Sequence, residues 1–155
     1  MAIKSQAGWV VLAALGAWLA AGGTAGAKGD LAGPKASPVL LTLGNADSKT
    51  VFSPKHLAFE TGKLYKLLLI NPSPEKHEFD GAALAEAVYT RKVEVVGPDG
   101  TELAEIKGSV REIKVMPGTT VEWYFVPVRT VKRGEFVCAM PGHKEAGMVG
   151  TFSIE

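Results

Sequence analysis
A second cysteine is missing. With Cys138 as the one thiol in 155 residues, the chain can form no intramolecular disulfide and no multi-cysteine zinc or iron–sulfur site. An excess of charge of either sign is missing too. Lys+Arg 17 against Asp+Glu 16 leaves a formal charge of +1, so no broad electrostatic surface attracts nucleic acid. No glycine-rich phosphate loop precedes a helix, and no pair of carboxylates stands out from the scatter of acids. No repeat of fixed period is visible. What is present is one domain's length and 46% hydrophobic residues, enough for a core. Any chemistry rests on one thiol and three imidazoles.

A long hydrophobic span is also absent. The apolar run Ala7–Ala21 is about 15 residues, where crossing a bilayer takes about 20. Residues 1–27 read instead as a signal peptide: Lys4 supplies the positive start, the run supplies the apolar middle, and Ala25-Gly26-Ala27 fits a small-residue cleavage site. No cysteine lies near that junction, so a lipid anchor is excluded, and no twin-arginine pair precedes the run. The expected mature protein is near neutral, exported to the periplasm, and not inserted in the membrane. An unpaired thiol in an oxidising compartment is then deeply buried, bonded to another chain, or occupied by a metal.

Residues 28–38 are rich in Gly, Ala, Pro and Lys and read as a flexible leader. From residue 39 to 155 come short β-branched, apolar or alternating runs: Val39–Leu43, Leu57–Phe59, Tyr65–Ile70, Lys92–Val96, Ser109–Val115, Thr120–Phe125, Gly134–Cys138 and Gly150–Ile154. Turn residues separate them, as in Asn71-Pro72-Ser73-Pro74, Gly97-Pro98-Asp99-Gly100 and Met116-Pro117-Gly118. The pattern predicts an all-β, antiparallel β-sandwich. One short helical insertion is predicted over Gly81–Val88, with Asp80 as its cap.

The chemistry concentrates near the C-terminus. Cys138, His143 and Met148 lie in one turn-rich segment, Cys138-Ala139-Met140-Pro141-Gly142-His143-Lys144-Glu145-Ala146-Gly147-Met148. Upstream, a Pro-rich loop leads to His77. A thiolate, two imidazoles and a distant thioether are the donors of a blue-copper centre. Soft sulfur and imidazole together serve both Cu(I) and Cu(II), and a weak axial sulfur does not enforce the tetragonal geometry that Cu(II) prefers.

On Cys138-x4-His143-x4-Met148, the following Gly150-Thr151-Phe152, and His77 upstream, the sequence resembles the cupredoxin family, the type 1 blue copper proteins of the plastocyanin and azurin kind. The resemblance covers roughly Val39 to Glu155. It implies a Greek-key sandwich holding one type 1 copper ion, with His77, Cys138 and His143 as strong ligands and Met148 axial. It also implies that the edge of His143 lies near the surface as a route for electrons. Two positions depart from the family pattern. Glu78 stands where an Asn commonly ties the two copper loops together, and Ala139 after the cysteine has no hydroxyl. That carboxylate has three possible roles: a partner of a ligand, a solvated charge, or an unusual ligand. Pro141 has no N–H to give the thiolate, and a sulfur with few hydrogen bonds favours a higher potential.

Other readings of these residues are weaker. A Cys/His nucleophile pair draws its partners from distant parts of a chain, whereas Cys138 and His143 are close in sequence. A binuclear copper site needs a second thiol in the loop, and structural zinc prefers a fourth strong ligand over Met148. His56 reads as a surface or satisfied core residue, Met116 and Met140 as packing or surface residues, and Arg91-Lys92 and Lys132-Arg133 as solvated turn charges. The expected function is a monomeric one-electron carrier and no enzyme, serving a redox donor and acceptor such as a cytochrome or an oxidase or reductase. An apolar patch of Ala139, Met140, Pro141, Ala146 and Gly147 around His143 would be its docking face. The competing expectation is a copper-handling or resistance protein that sequesters or delivers the metal. A third is an accessory subunit of a larger oxidase or reductase.

Overall fold
The computed structural model describes residues 35–47 and 50–155. The signal-peptide segment and residues 28–34 of the leader lie outside the described residues, and the end of the expected leader is already structured, because Ser37 and Pro38 pair with β4 as the start of β1. The elements in chain order are β1 (Ser37–Leu43), β2 (Phe52–Ser53), β3 (His56–Phe59), β4 (Tyr65–Ile70), β5 (His77–Asp80), α1 (Ala82–Ala85), β6 (Val88–Val96), β7 (Glu102–Ile106), β8 (Glu112–Val115), β9 (Thr120–Pro127), β10 (Val131–Val137) and β11 (Val149–Ile154). They form two sheets, β2-β1-β4-β9-β6-β7 and β3-β11-β10-β5-β8. The all-β sandwich is thus present. Among the described residues, no helix is long and apolar enough to cross a membrane.

Alternation builds the core. On β4, Tyr65, Leu67 and Leu69 point inward and are buried, and on β9 so do Val121, Trp123 and Phe125. The facing sheet contributes Phe79, Phe136 and Phe152. Phe52 and Phe136 meet edge-to-face with centroids 5.1 Å apart, and Phe79 packs edge-on to Trp123 at 6.2 Å.

Pairing differs from the antiparallel expectation at two places. β1 runs parallel to β4, and β3 runs parallel to β11, so both sheets are mixed. The chain leaves β1, crosses to the other sheet as β3, and returns as β4, and such a return brings β1 and β4 side by side in the same direction. Alternation along a strand does not record its neighbour's direction. The helix is also shorter than Gly81–Val88. It ends at Ala85 because Val88-Tyr89-Thr90 pair with β9, which pulls β-branched and aromatic residues out of the helix and puts Arg91-Lys92 in a strand. Asp80 accepts a hydrogen bond from Ala82 N–H at 3.2 Å, one position before the cap residue Gly81.

The hairpin β10–β11 carries the C-terminal motif and is held in register by two glycines. Gly134 lies opposite Phe152 and Gly150 opposite Phe136. A Cβ at Gly134 would run into the Phe152 ring, and one at Gly150 into the Phe136 ring. Each ring therefore lies across the glycine of the other strand. Gly134→Ala and Gly150→Ala are each expected to destabilise the fold by about 1–3 kcal/mol through overpacking. Denaturant midpoints would show it; midpoints equal to wild type would contradict this account of the register.

Candidate metal centre
Three loops meet at one end of the sandwich. β5 begins at His77, whose neighbour across the sheet is Val115 of β8. His77 and Phe79 share the inner face of β5, so the strand that plants Phe79 in the core also turns the imidazole inward, where it is 1% exposed. Cys138 follows β10 directly and is fully buried. The loop after it is tied down by its own backbone. Cys138 N–H donates to Met148 O at 3.1 Å, Met148 N–H to His143 O at 2.9 Å, and His143 N–H to Met140 O at 3.1 Å. Gly142 and Gly147 supply the left-handed turns that this tight path needs, at φ +81° and +91°.

The result is a cluster. The donor atoms of His77, Cys138 and His143 all lie within 4.8 Å of one another. Cys138 Sγ is 3.3 Å from Nδ1 of His143 and 4.0 Å from Nδ1 of His77, and the two imidazole centroids are 5.1 Å apart. Met148 is fully buried and bonded through its backbone to both Cys138 and His143. The His143 side chain keeps 15% of its surface exposed, with Nε2 3.9 Å from a Glu75 carboxylate oxygen. The structure thus brings together the three strong donors that the motif singles out. His56 lies away from them, on β3, with its ring nitrogens 2.9 Å from Thr151 Oγ1 and 3.3 Å from Ser153 Oγ. Met116 is exposed and Met140 packs against the core.

At the cluster, burial disfavours the charged forms of the side chains. Burial pushes the Cys138 thiol up, and burial together with the charge of His143 pushes His77 down. Without a cation the site therefore holds a thiol and a neutral His77, and a soft metal would displace the thiol proton and use the imidazole lone pairs. Pro141 gives the sulfur no N–H, but the sulfur is not without a donor. Glu78 N–H reaches it at 3.3 Å. The Glu78 side chain is no ligand in this cluster. It lies on the opposite face of β5, where a hydrogen bond with Glu112 and then burial raise its carboxyl above the usual range.

Three supporting residues carry no distinguishing signal in the sequence. Asn71 and Ser73 are buried behind His77, and Ser73 Oγ is 2.9 Å from His77 Nε2. Gly44, at the end of β1, lies flat against the same ring, where a Cβ would collide with His77 Nε2 and come within 2.9 Å of Ser73 Cβ. The Asn71-Pro72-Ser73-Pro74 stretch reads as an ordinary turn until the fold places it under the imidazole.

Comparison with known proteins agrees with this construction. No protein-family model matches the chain. It is 30% identical over 125 residues to the copper-resistant cuproprotein CopI of Vibrio cholerae serotype O1, covering 79% of this chain and 68% of that protein. Among solved structures it is similar to the reduced auracyanin of Roseiflexus castenholzii, with a TM-score of 0.50 and 15% identity, over 79% of this chain and 99% of auracyanin. It also overlays the copper nitrite reductase of Nitrosomonas europaea with a TM-score of 0.55 and 14% identity, over 85% of this chain and 52% of the reductase. The multicopper oxidase of Campylobacter jejuni matches at a TM-score of 0.54 and 16% identity, and this chain spans 30% of its length. At these identities the structural likenesses establish the fold. With the relative in Vibrio cholerae, the sandwich and the His–Cys–His cluster together, the chain belongs to the cupredoxin family, as a copper-binding protein.

Proposed function
We propose that this chain is an exported one-electron carrier that holds a single type 1 copper through His77, Cys138 and His143, with Met148 as the weak axial donor. The observation that carries the proposal is the preset cluster: three strong donors within 4.8 Å of one another on a backbone-bonded loop and a sheet-anchored strand. Bound copper would supply one-electron chemistry by alternating between its two common oxidation states. The chain's part is to keep the donors in one place in both states, so that little must reorganise. Full burial of Cys138 and Met148 excludes water from the sulfur donors. His143 alone of the four reaches the surface, beside the exposed Ala139, Pro141, Gly142, Ala146 and Gly147. A small, weakly adhesive face of this kind suits brief contact with a redox protein such as a cytochrome, oxidase or reductase. Four protein donors leave no position for a substrate, which supports a carrier over an enzyme. Export is supported by the signal-peptide pattern of residues 1–27.

One observation favours a second reading, copper handling in a resistance system: the relative in Vibrio cholerae is named a copper-resistant cuproprotein. The two differ in what leaves the site. A carrier gives up an electron and keeps the metal. Copper-loaded protein is therefore expected to show fast electron self-exchange and to retain its metal against an acceptor protein or chelator. Slow exchange with ready copper transfer would reject the carrier in favour of handling.

A further inference from the structure
Donor and acceptor arithmetic around His77 determines where its proton sits. Asn71 is fully buried and Ser73 is 2% exposed. The Asn71 amide faces two carbonyls on one side, Glu75 O at 2.7 Å and Val115 O at 2.9 Å. Carbonyls only accept, so Nδ2 with its two hydrogens must point there. Oδ1 then faces Ser73, whose backbone N–H at 3.0 Å can only donate. The Ser73 hydroxyl has one hydrogen and four neighbours. Asn71 Oδ1 at 2.9 Å and Glu75 O at 3.0 Å accept only, and Glu75 N–H at 3.2 Å donates only. The hydrogen goes to one of the two acceptors, and Glu75 N–H occupies one lone pair. What remains for His77 Nε2, at 2.9 Å, is a lone pair. The opposite arrangement, with the hydroxyl donating to Nε2, would press its lone pairs against both acceptor oxygens at once, instead of donating to one of them.

We infer that Asn71 and Ser73 form a relay that keeps the His77 proton on Nε2 and so presents the Nδ1 lone pair to Cys138 before any metal arrives. They are positioning residues, acting through His77. The relay is anchored beyond the loop that carries it. Asn71 bonds Val115 O of β8, accepts from Gly118 N–H at 2.8 Å, and donates through its own N–H to Thr119 O at 3.1 Å. Gly44 closes over the Ser73–His77 bond and leaves no room for a competing water. That the free nitrogen serves copper rests on the function proposed above; that the proton sits on Nε2 does not.

The test separates the two. In the full ¹⁵N-labelled chain, long-range proton–nitrogen correlation of the imidazoles identifies the protonated nitrogen, in copper-free and Cu(I)-loaded protein. The expected result is His77 with a slowly exchanging Nε2–H in both. In Ser73→Ala that proton is expected to exchange with solvent at least tenfold faster. Cu(I) affinity, measured by competition with a chromophoric Cu(I) chelator, is expected to fall about 10–100-fold, the usual effect of removing a histidine's outer partner. A His77 proton on Nδ1 in the copper-free wild type overturns the relay. So does a Ser73→Ala protein whose imidazole exchange and Cu(I) affinity equal those of wild type. A wild-type chain that takes up no copper overturns the metal assignment instead, and the imidazole spectrum then decides the relay alone.

Discussion
Cys138→Ser is expected to abolish the visible thiolate-to-copper charge-transfer band of the copper-loaded protein and to weaken copper binding more than a hundredfold. The sulfur is the one anionic soft donor in the cluster. A closed four-ligand site binds a divalent ion with roughly 10–16 kcal/mol, so losing its strongest ligand costs about 3 kcal/mol or more. The fold should survive. Sulfur here receives an N–H group from Glu78, and a serine oxygen can accept from the same donor, which limits the change in copper-free stability to about 1 kcal/mol. Three measurements together check the expectation: the visible spectrum, a copper competition titration, and thermal unfolding of the copper-free variant. An unchanged band in the variant would remove Cys138 from the site. A copper-free variant that fails to fold would instead give the thiol a structural role.

Gly44→Ala should damage both stability and copper binding although Gly44 donates nothing to a metal. Two costs combine at this position. The backbone sits at φ +72°, where an alanine is strained by about 1 kcal/mol. The new methyl would also overlap His77 Nε2 and press on Ser73 Cβ at 2.9 Å, an overpacking cost of about 1–3 kcal/mol. Gly62 separates the two. It has nearly the same φ, +76°, with nothing within 4 Å of its added Cβ, so Gly62→Ala carries only the backbone cost. Thermal unfolding should therefore place Gly44→Ala clearly below Gly62→Ala, by roughly 5–10 °C for a domain of this size. Copper affinity should fall in the first variant and hold in the second, because only the first displaces an imidazole. Equal melting points and equal affinities would show that the contact with His77 has no energetic weight.

Elements with strong local patterns were legible one by one. Tyr65–Ile70 is an apolar run broken only by Lys66, lies between turn residues, and forms β4 with the expected ends. β5 is not legible, because His77-Glu78-Phe79-Asp80 carries a single large apolar residue after a Pro-rich stretch, and it becomes a strand by pairing with β8 and, at Asp80, with β10. β7 was missed for a similar reason. All five of its residues are exposed, so burial stamps no alternation on Glu102–Ile106, and its place is set by pairing with β6. At the site, the contrast runs between ligands and their supports. A thiolate, imidazoles and a thioether are chemically rare, and their spacing in one loop is conspicuous. Asn, Ser and Gly are ordinary turn residues, and nothing local distinguishes Asn71, Ser73 or Gly44.

The amino-acid sequence alone therefore determined the kind of chemistry: one thiol and few imidazoles exclude most metal sites, and their order in the chain points to copper. Only the tertiary structure decided how that site is supported. It brought His77 beside Cys138 across 61 positions of sequence, gave the sulfur an N–H from Glu78, and turned the Glu78 side chain away toward Glu112. The physical reason is the range of the interactions. Ligand identity is a property of single side chains. Hydrogen-bond direction, strand polarity and the clearance around a ring depend on which distant segments share a boundary, and that is settled only when the two sheets close.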